Sequence, residues 1–148
     1  MSNYRRVYIP GGTYFFTLVG YRRKPIFADG ERVELLRRSF REVKAKRPYD
    51  VLAAVVLPDH LHCLWCLPEG DADFSTRWQM VKTSFSRRRH SKTRKDGAKT
   101  VWQPRLYDHC IRDESDFKSI WTTSITTLSN MAWLLRRAIG RIALLRIL

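Results

Sequence analysis

The chain has 148 residues, enough for one domain with a real core, and its 28 Lys and Arg stand against 14 Asp and Glu for a net charge of +14. Such an excess favours a polyanionic partner, nucleic acid above all, and the 12% of aromatic residues provides rings on which unpaired bases can stack. Three cysteines, Cys63, Cys66 and Cys110, are too few for a secreted disulfide framework, and no apolar stretch reaches membrane-spanning length.

Tyr4, Arg5 and Arg6 open a basic, aromatic arm that ends at the turn signal Pro10-Gly11-Gly12. The arm suits a phosphate backbone or a groove, and reads equally well as a frayed terminus. It lacks the apolar core of a signal peptide, so a reduced, cytoplasmic setting is expected. Thr13 to Val19, dense in β-branched and aromatic residues, predicts a central strand. Tyr21-Arg22-Arg23-Lys24 follows as a positively charged loop. From Glu31 to about Lys46, Val33, Leu36, Phe40 and Val43 recur at helical spacing, which predicts an amphipathic helix stopped by Arg47-Pro48. Two strands, Tyr49 to Leu57 and His60 to Leu67, are then joined by Pro58-Asp59.

After an acidic loop from Pro68 to Asp73, a helix is expected from about Phe74 to Arg89, capped by Asp73 or Ser75, with Trp78, Val81 and Phe85 on one side. Its end, Ser86 to Lys95, is the most basic run in the chain and reads as a phosphate-contacting loop or as a solvated linker. His90 reads there as one more cationic residue. Val101 to Arg112 predicts a fourth strand or a β-hairpin, in which His109 is expected as a core or surface residue rather than a ligand. Strand, helix, strand, strand, helix, strand is the order of a ferredoxin-like split βαβ domain. This α+β fold has an antiparallel sheet with helices on one face.

The candidate chemistry lies at Pro58-Asp59-His60-Leu61-His62-Cys63. Alternation along a strand puts His60 and His62 on one face and Leu61 and Cys63 on the other. Paired imidazoles form half of a divalent-metal site; an isolated His-x-His is more often a solvated strand face, but the segment from Val51 to Leu67 is almost wholly apolar. Cys63 and Cys66 fall on opposite sides of the strand, so they read as small core residues rather than a zinc pair.

Pro58 to Trp65, with Tyr4-Arg5-Arg6, Gly11 to Thr17, Trp102-Gln103-Pro104-Arg105 and Ile111 to Phe117, resembles the REP-associated tyrosine transposases over residues 1 to 118. These are single-tyrosine HUH transposases, named for His-hydrophobic-His. The resemblance implies a ferredoxin-like fold, Mg or Mn held by His60 and His62, and single-stranded or REP-like hairpin DNA as partner, and it leaves room for a homodimer. Tyr4, Arg5, Arg6, Arg22, Arg23, Lys82, Arg87, Arg88, Arg89 and Arg105 are the candidate DNA-contacting residues. In the family a tyrosine on a C-terminal helix attacks a phosphodiester, leaving a 5′-phosphotyrosine link and a free 3′-hydroxyl. Mg prefers oxygen to imidazole, so loose binding completed by phosphate oxygens and a third protein ligand is expected.

The resemblance breaks after Lys118. There the family continues with a motif close to HLDYIHYNPVKHGL, whose first tyrosine is the nucleophile and whose asparagine is the third ligand; this chain has no tyrosine after Tyr107. Ser119 to Trp133, back-translated with suitable synonymous codons and read from the third base, gives HLDYIHYNPVKHGL. A frameshift near Lys118 is inferred, making residues 119–148 an aberrant tail with accidental basic amphipathic character. The lost tyrosine codon straddles Thr122 and Thr123, and no base is evident to activate either hydroxyl. The expected protein is therefore a transposase-type DNA binder with impaired cleavage. A non-catalytic DNA-binding remnant and an unrelated basic RNA-binding protein are the competing readings.

Overall fold

Alternating bulky residues put Thr13–Val19 into strand β1, with Tyr14, Phe16 and Leu18 buried on one side. The computed structural model describes residues 6–88 and 101–120. Tyr4, Arg5, Arg89, His90 and the tail from 121 lie outside the described residues, as does most of the basic run after α2. After β1 come a 3-10 turn at Tyr21–Arg23, helix α1 at Gly30–Lys46, strands β2 at Asp50–Val56 and β3 at His60–Cys66, helix α2 at Phe74–Arg88 and strand β4 at Tyr107–Cys110. A third helix, α3, occupies residues 114–120. Pattern reading did not anticipate it.

The four strands form one antiparallel sheet in the order β2-β3-β1-β4. Inserting β3 between β1 and β2 makes the split βαβ expected from the sequence. Strand ends are a residue shorter than the pattern suggests. Tyr49, for example, turns into the core, where its hydroxyl donates to the Phe40 carbonyl at 3.0 Å. Only the last part of the 101–112 stretch is a strand. Trp102 makes a lone bridge to Gly20, and Pro104, which has no N–H to donate, interrupts any continuous ladder.

Helices α1 and α2 pack against each other and cover the face bearing Tyr14, Phe16, Leu61, Cys63 and Trp65. At its centre Trp65 and Trp78 stack with ring centroids 4.1 Å apart, and Phe16 and Phe40 meet them edge-on. Each helix begins at an aspartate: Asp29 accepts from Arg32 N at 2.8 Å, and Asp73, rather than Ser75, accepts from Thr76 N at 3.0 Å. The buried Arg77 of α2 was not evident as a core residue. Its guanidinium donates to both Asp71 oxygens and to the carbonyls of Arg47, Pro48 and Asp73, closing the α1–β2 corner against the acidic loop.

Gly20 sets the turn nearest the histidines. A Cβ there would sit 2.6 Å from the Lys24 carbonyl, so only glycine allows this tight return, and its N–H donates to the Asp59 carbonyl at 2.8 Å. The loop after β1 is thereby tied to the β2–β3 connection.

Candidate functional site

Ladder register decides which side chains share the face of the sheet opposite α1 and α2. Val19 lies opposite His60, Thr17 opposite His62, Phe15 opposite Leu64 and, on the other flank, Thr17 opposite Tyr107 and Phe15 opposite His109. His60 and His62 are therefore side by side, as the alternation predicts, with ring centroids 5.1 Å apart and planes at 82°. Phe15, itself buried, stacks on His62 at 5.5 Å and 19°. Cys63 faces the core and Cys66 the opposite side, and both are free thiols.

Each imidazole is held through Nδ1. Asp59 Oδ1 lies 2.6 Å from His60 Nδ1, and Thr17 Oγ1 lies 2.8 Å from His62 Nδ1. Neither Nε2 has a partner among the described residues. A ring anchored at Nδ1 and bare at Nε2 is the arrangement in which an outer partner orients a metal-binding histidine. Burial, reinforced by the neighbouring His60, pushes His62 down to about 4, so its ring is neutral and available as a ligand at neutral pH. Burial alone would raise the Asp59 carboxyl, but hydrogen bonds from His60 and Arg23 outweigh it and the net shift is downward. The sequence placed Asp59 in a tight connection without revealing this role, and Thr17 gave no signal because it lies 45 residues from His62.

Arg23 reaches Asp59 Oδ2 at 3.1 Å, so guanidinium, carboxylate and imidazole form one chain at the rim of the site. Arg22 and Arg23 have φ of 52° and 53°, an uncommon backbone for two successive non-glycine residues and a frequent mark of functional loops. Arg22 extends over the Tyr21 ring, its guanidinium carbon 5.3 Å from the centroid.

The remaining basic candidates are spread out. Arg105 is exposed just before β4. Arg87 is exposed on the last turn of α2, while Arg88 is engaged by Glu42. Arg6 and Lys82 lie on the other side of the sheet, Lys82 on α2 and Arg6 beside it, where Arg6 Nε sits 3.2 Å from the buried Asp108. Tyr8 of the arm stacks on Phe74 at 5.1 Å, so the described part of the arm lies against α2. His109 is on the histidine face, but its Nε2 is held by Asp116 at 2.9 Å, which ties β4 to α3. No group of three or more His, Cys, Asp or Glu side chains gathers as a metal site among the described residues.

No protein-family model matches the chain. Over 119 residues, 80% of its length, it is 44% identical to the REP-associated tyrosine transposase of Escherichia coli strain K12, 67% of which is covered. The chain belongs to this family. A Haemophilus influenzae relative of the same family name is 35% identical over 123 residues, 78% of this chain and 69% of the relative. Among solved structures, a REP-associated tyrosine transposase bound to a REP hairpin superposes with a TM-score of 0.72 at 40% identity, covering 90% of this chain and 76% of that one. A Deinococcus radiodurans R1 protein, with a TM-score of 0.56 at 16% identity over 83% of this chain and 96% of its own, shares the fold. In this member of the REP-associated tyrosine transposases, His60 and His62 lie on β3, an inner strand of the sheet. No described helix is long and apolar enough to cross a membrane.

Proposed function

We propose that the chain binds hairpin or single-stranded DNA of the REP-palindrome type at the histidine face, and that it does not complete the family's cleavage and rejoining reaction. The observation that carries this reading is the pair His60 and His62, each fixed at Nδ1 and without a described partner at Nε2, on the sheet face opposite α1 and α2. These two nitrogens fit half of a Mg or Mn site, the other half falling to phosphate oxygens and water, since the family's asparagine ligand is lost with the tyrosine motif. When bound there, the ion supplies charge neutralisation at the non-bridging oxygens of a phosphodiester. Thr17 and Asp59 keep the two rings in register. Arg22, Arg23 and Arg105 hold the sugar-phosphate chain against the face, with Arg6, Lys82, Arg87 and Arg88 contributing from the helix side. Tyr4, Arg5 and Arg89 remain DNA-contacting candidates from the sequence, outside the described residues.

Residues 1–118 form the HUH domain in this reading, and residues 119–148 are a tail translated out of frame. The family tyrosine is absent, and a threonine hydroxyl without an activating base is too weak a nucleophile to replace it. Tyr107 is exposed on the histidine face but sits on β4, two strands from β3, and makes no side-chain hydrogen bond to a base among the described residues. The test is incubation of the full chain with labelled hairpin DNA and Mn. Binding without a covalent protein-DNA adduct is expected, and an adduct, on Tyr107 or elsewhere, overturns the inactivity. Preference for structured RNA that persists at raised salt overturns the DNA assignment. Sequencing the coding DNA checks the frame, since the upstream frame is expected to continue as the tyrosine motif.

A further inference from the structure

We propose that a second phosphate-binding site lies on the helix side of the sheet, in a cavity of about 290 Å³ where the N-terminal arm, α2 and residues 104–106 meet. It rests on the DNA-binding reading above and deepens it: the ligand is a phosphate group of the same DNA strand, held away from the histidines.

The site is built from one face of α2. Ser75, Gln79, Lys82 and Thr83 recur at helical spacing and line the cavity together, with Arg6 of the arm facing them. Lys82 is the decisive group. Its side chain is half-buried, yet its ammonium has neither a carboxylate nor a hydrogen-bond acceptor among the described residues. Arg77, one turn earlier, is buried with a full set of acceptors, and Arg6 has Asp108. A cation drawn out of water without a counter-ion is costly, and burial together with the neighbouring Arg6 lowers the Lys82 pKa accordingly. An anion entering the cavity removes that cost and finds hydroxyl and amide donors from Ser75, Thr83 and Gln79 around it.

Geometry favours a nucleic-acid strand as the source of that anion. Pro104 and Leu106 form the opposite wall, Arg105 between them is exposed, and the next residue, Tyr107, projects onto the histidine face. Residues 104–107 thus run from the cavity to the site around the free edge of β4, which pairs with β1 alone among the described strands. A strand passing around that edge places one phosphate beside Lys82 and later ones on the histidine face, where His60 and His62 lie two strands in from β4.

The full chain is titrated with inorganic phosphate at fixed ionic strength, following tryptophan emission, because Trp78 also lines the cavity. An unstructured oligodeoxynucleotide then serves as competitor. A saturable response displaced by the oligonucleotide is expected. Lys82→Met should abolish the response and weaken oligonucleotide binding about tenfold, as loss of one charge-assisted contact does. Lys46→Met, which removes the same charge at the far end of α1, should keep the response and cost about twofold through the general field alone. Lys82→Arg should restore both, and Lys82→Gln replaces the methionine variant if that one fails to fold. Equal losses in the Lys82 and Lys46 variants, or no saturable response in the wild type, overturn the site. A response that the oligonucleotide cannot displace assigns the cavity to free phosphate and overturns the strand. Hairpin binding is measured separately, so failure of the DNA reading and failure of the cavity are distinguishable.

Discussion

Thr17 Oγ1 lies 2.8 Å from Nδ1 of His62, the two residues facing one another across the β1–β3 ladder. In the proposed metal site the threonine acts only through His62, by fixing the ring plane and keeping Nε2 clear. Thr17→Val keeps the shape and loses the hydrogen bond, so Mn affinity measured by calorimetry should fall about tenfold, while Thr17→Ser should hold within about twofold. Unchanged Mn affinity in the valine variant would sink the assignment of Thr17 as the orienting partner.

Asp59 has the corresponding role at His60, with Arg23 on its second oxygen. Asp59→Ala should weaken Mn binding by about tenfold or more. Its effect on unfolding in urea should stay within about 1 kcal/mol, because the Arg23 pair is largely exposed. Equal losses of stability and metal affinity would make the residue structural instead.

Acid should destabilise the domain through His62. Its folded value is about 4, below the ordinary 6.5 of an unfolded histidine, so the unfolded chain gains a proton first as pH falls. This contribution to stability is fully present above about pH 6.5 and is lost between about 6.5 and 4, with a slope of at most about 1.4 kcal/mol per pH unit. Urea midpoints at pH 7, 6 and 5 should decline accordingly, and His62→Asn should flatten that decline. Asp71 acts in a lower window, because its hydrogen bond from Arg77 holds it down to about 2.

Arg77→Met should cost about 3–5 kcal/mol in urea denaturation, since it leaves Asp71 without its partner and three carbonyls without their donor. DNA affinity of the folded fraction should change less than about twofold, because the guanidinium is buried and saturated. A loss confined to DNA binding would place Arg77 on the interface instead.

Basic residues were the least legible part of the candidate site. A run of arginines in sequence looks uniform, yet Arg6 is held by Asp108, Arg88 by Glu42 and Arg23 by Asp59, while Lys82 has no such partner. Charge counts record only the sum. Which cation is neutralised depends on carboxylates that lie 102, 46 and 36 residues away in the chain for Arg6, Arg88 and Arg23.

The sequence by itself determined the alternation that puts His60 and His62 on one face, the order of strands and helices, and the family. Each of these is encoded in short-range periodicity or in contiguous motifs. Tertiary structure alone decided that Asp59 and Thr17 hold the rings, that His109 is spent on Asp116, and that Arg77 is buried while Lys82 lines a cavity. Those outcomes follow from strand register, helix packing and the set of short turns, three-dimensional placements that leave no periodic trace in the sequence.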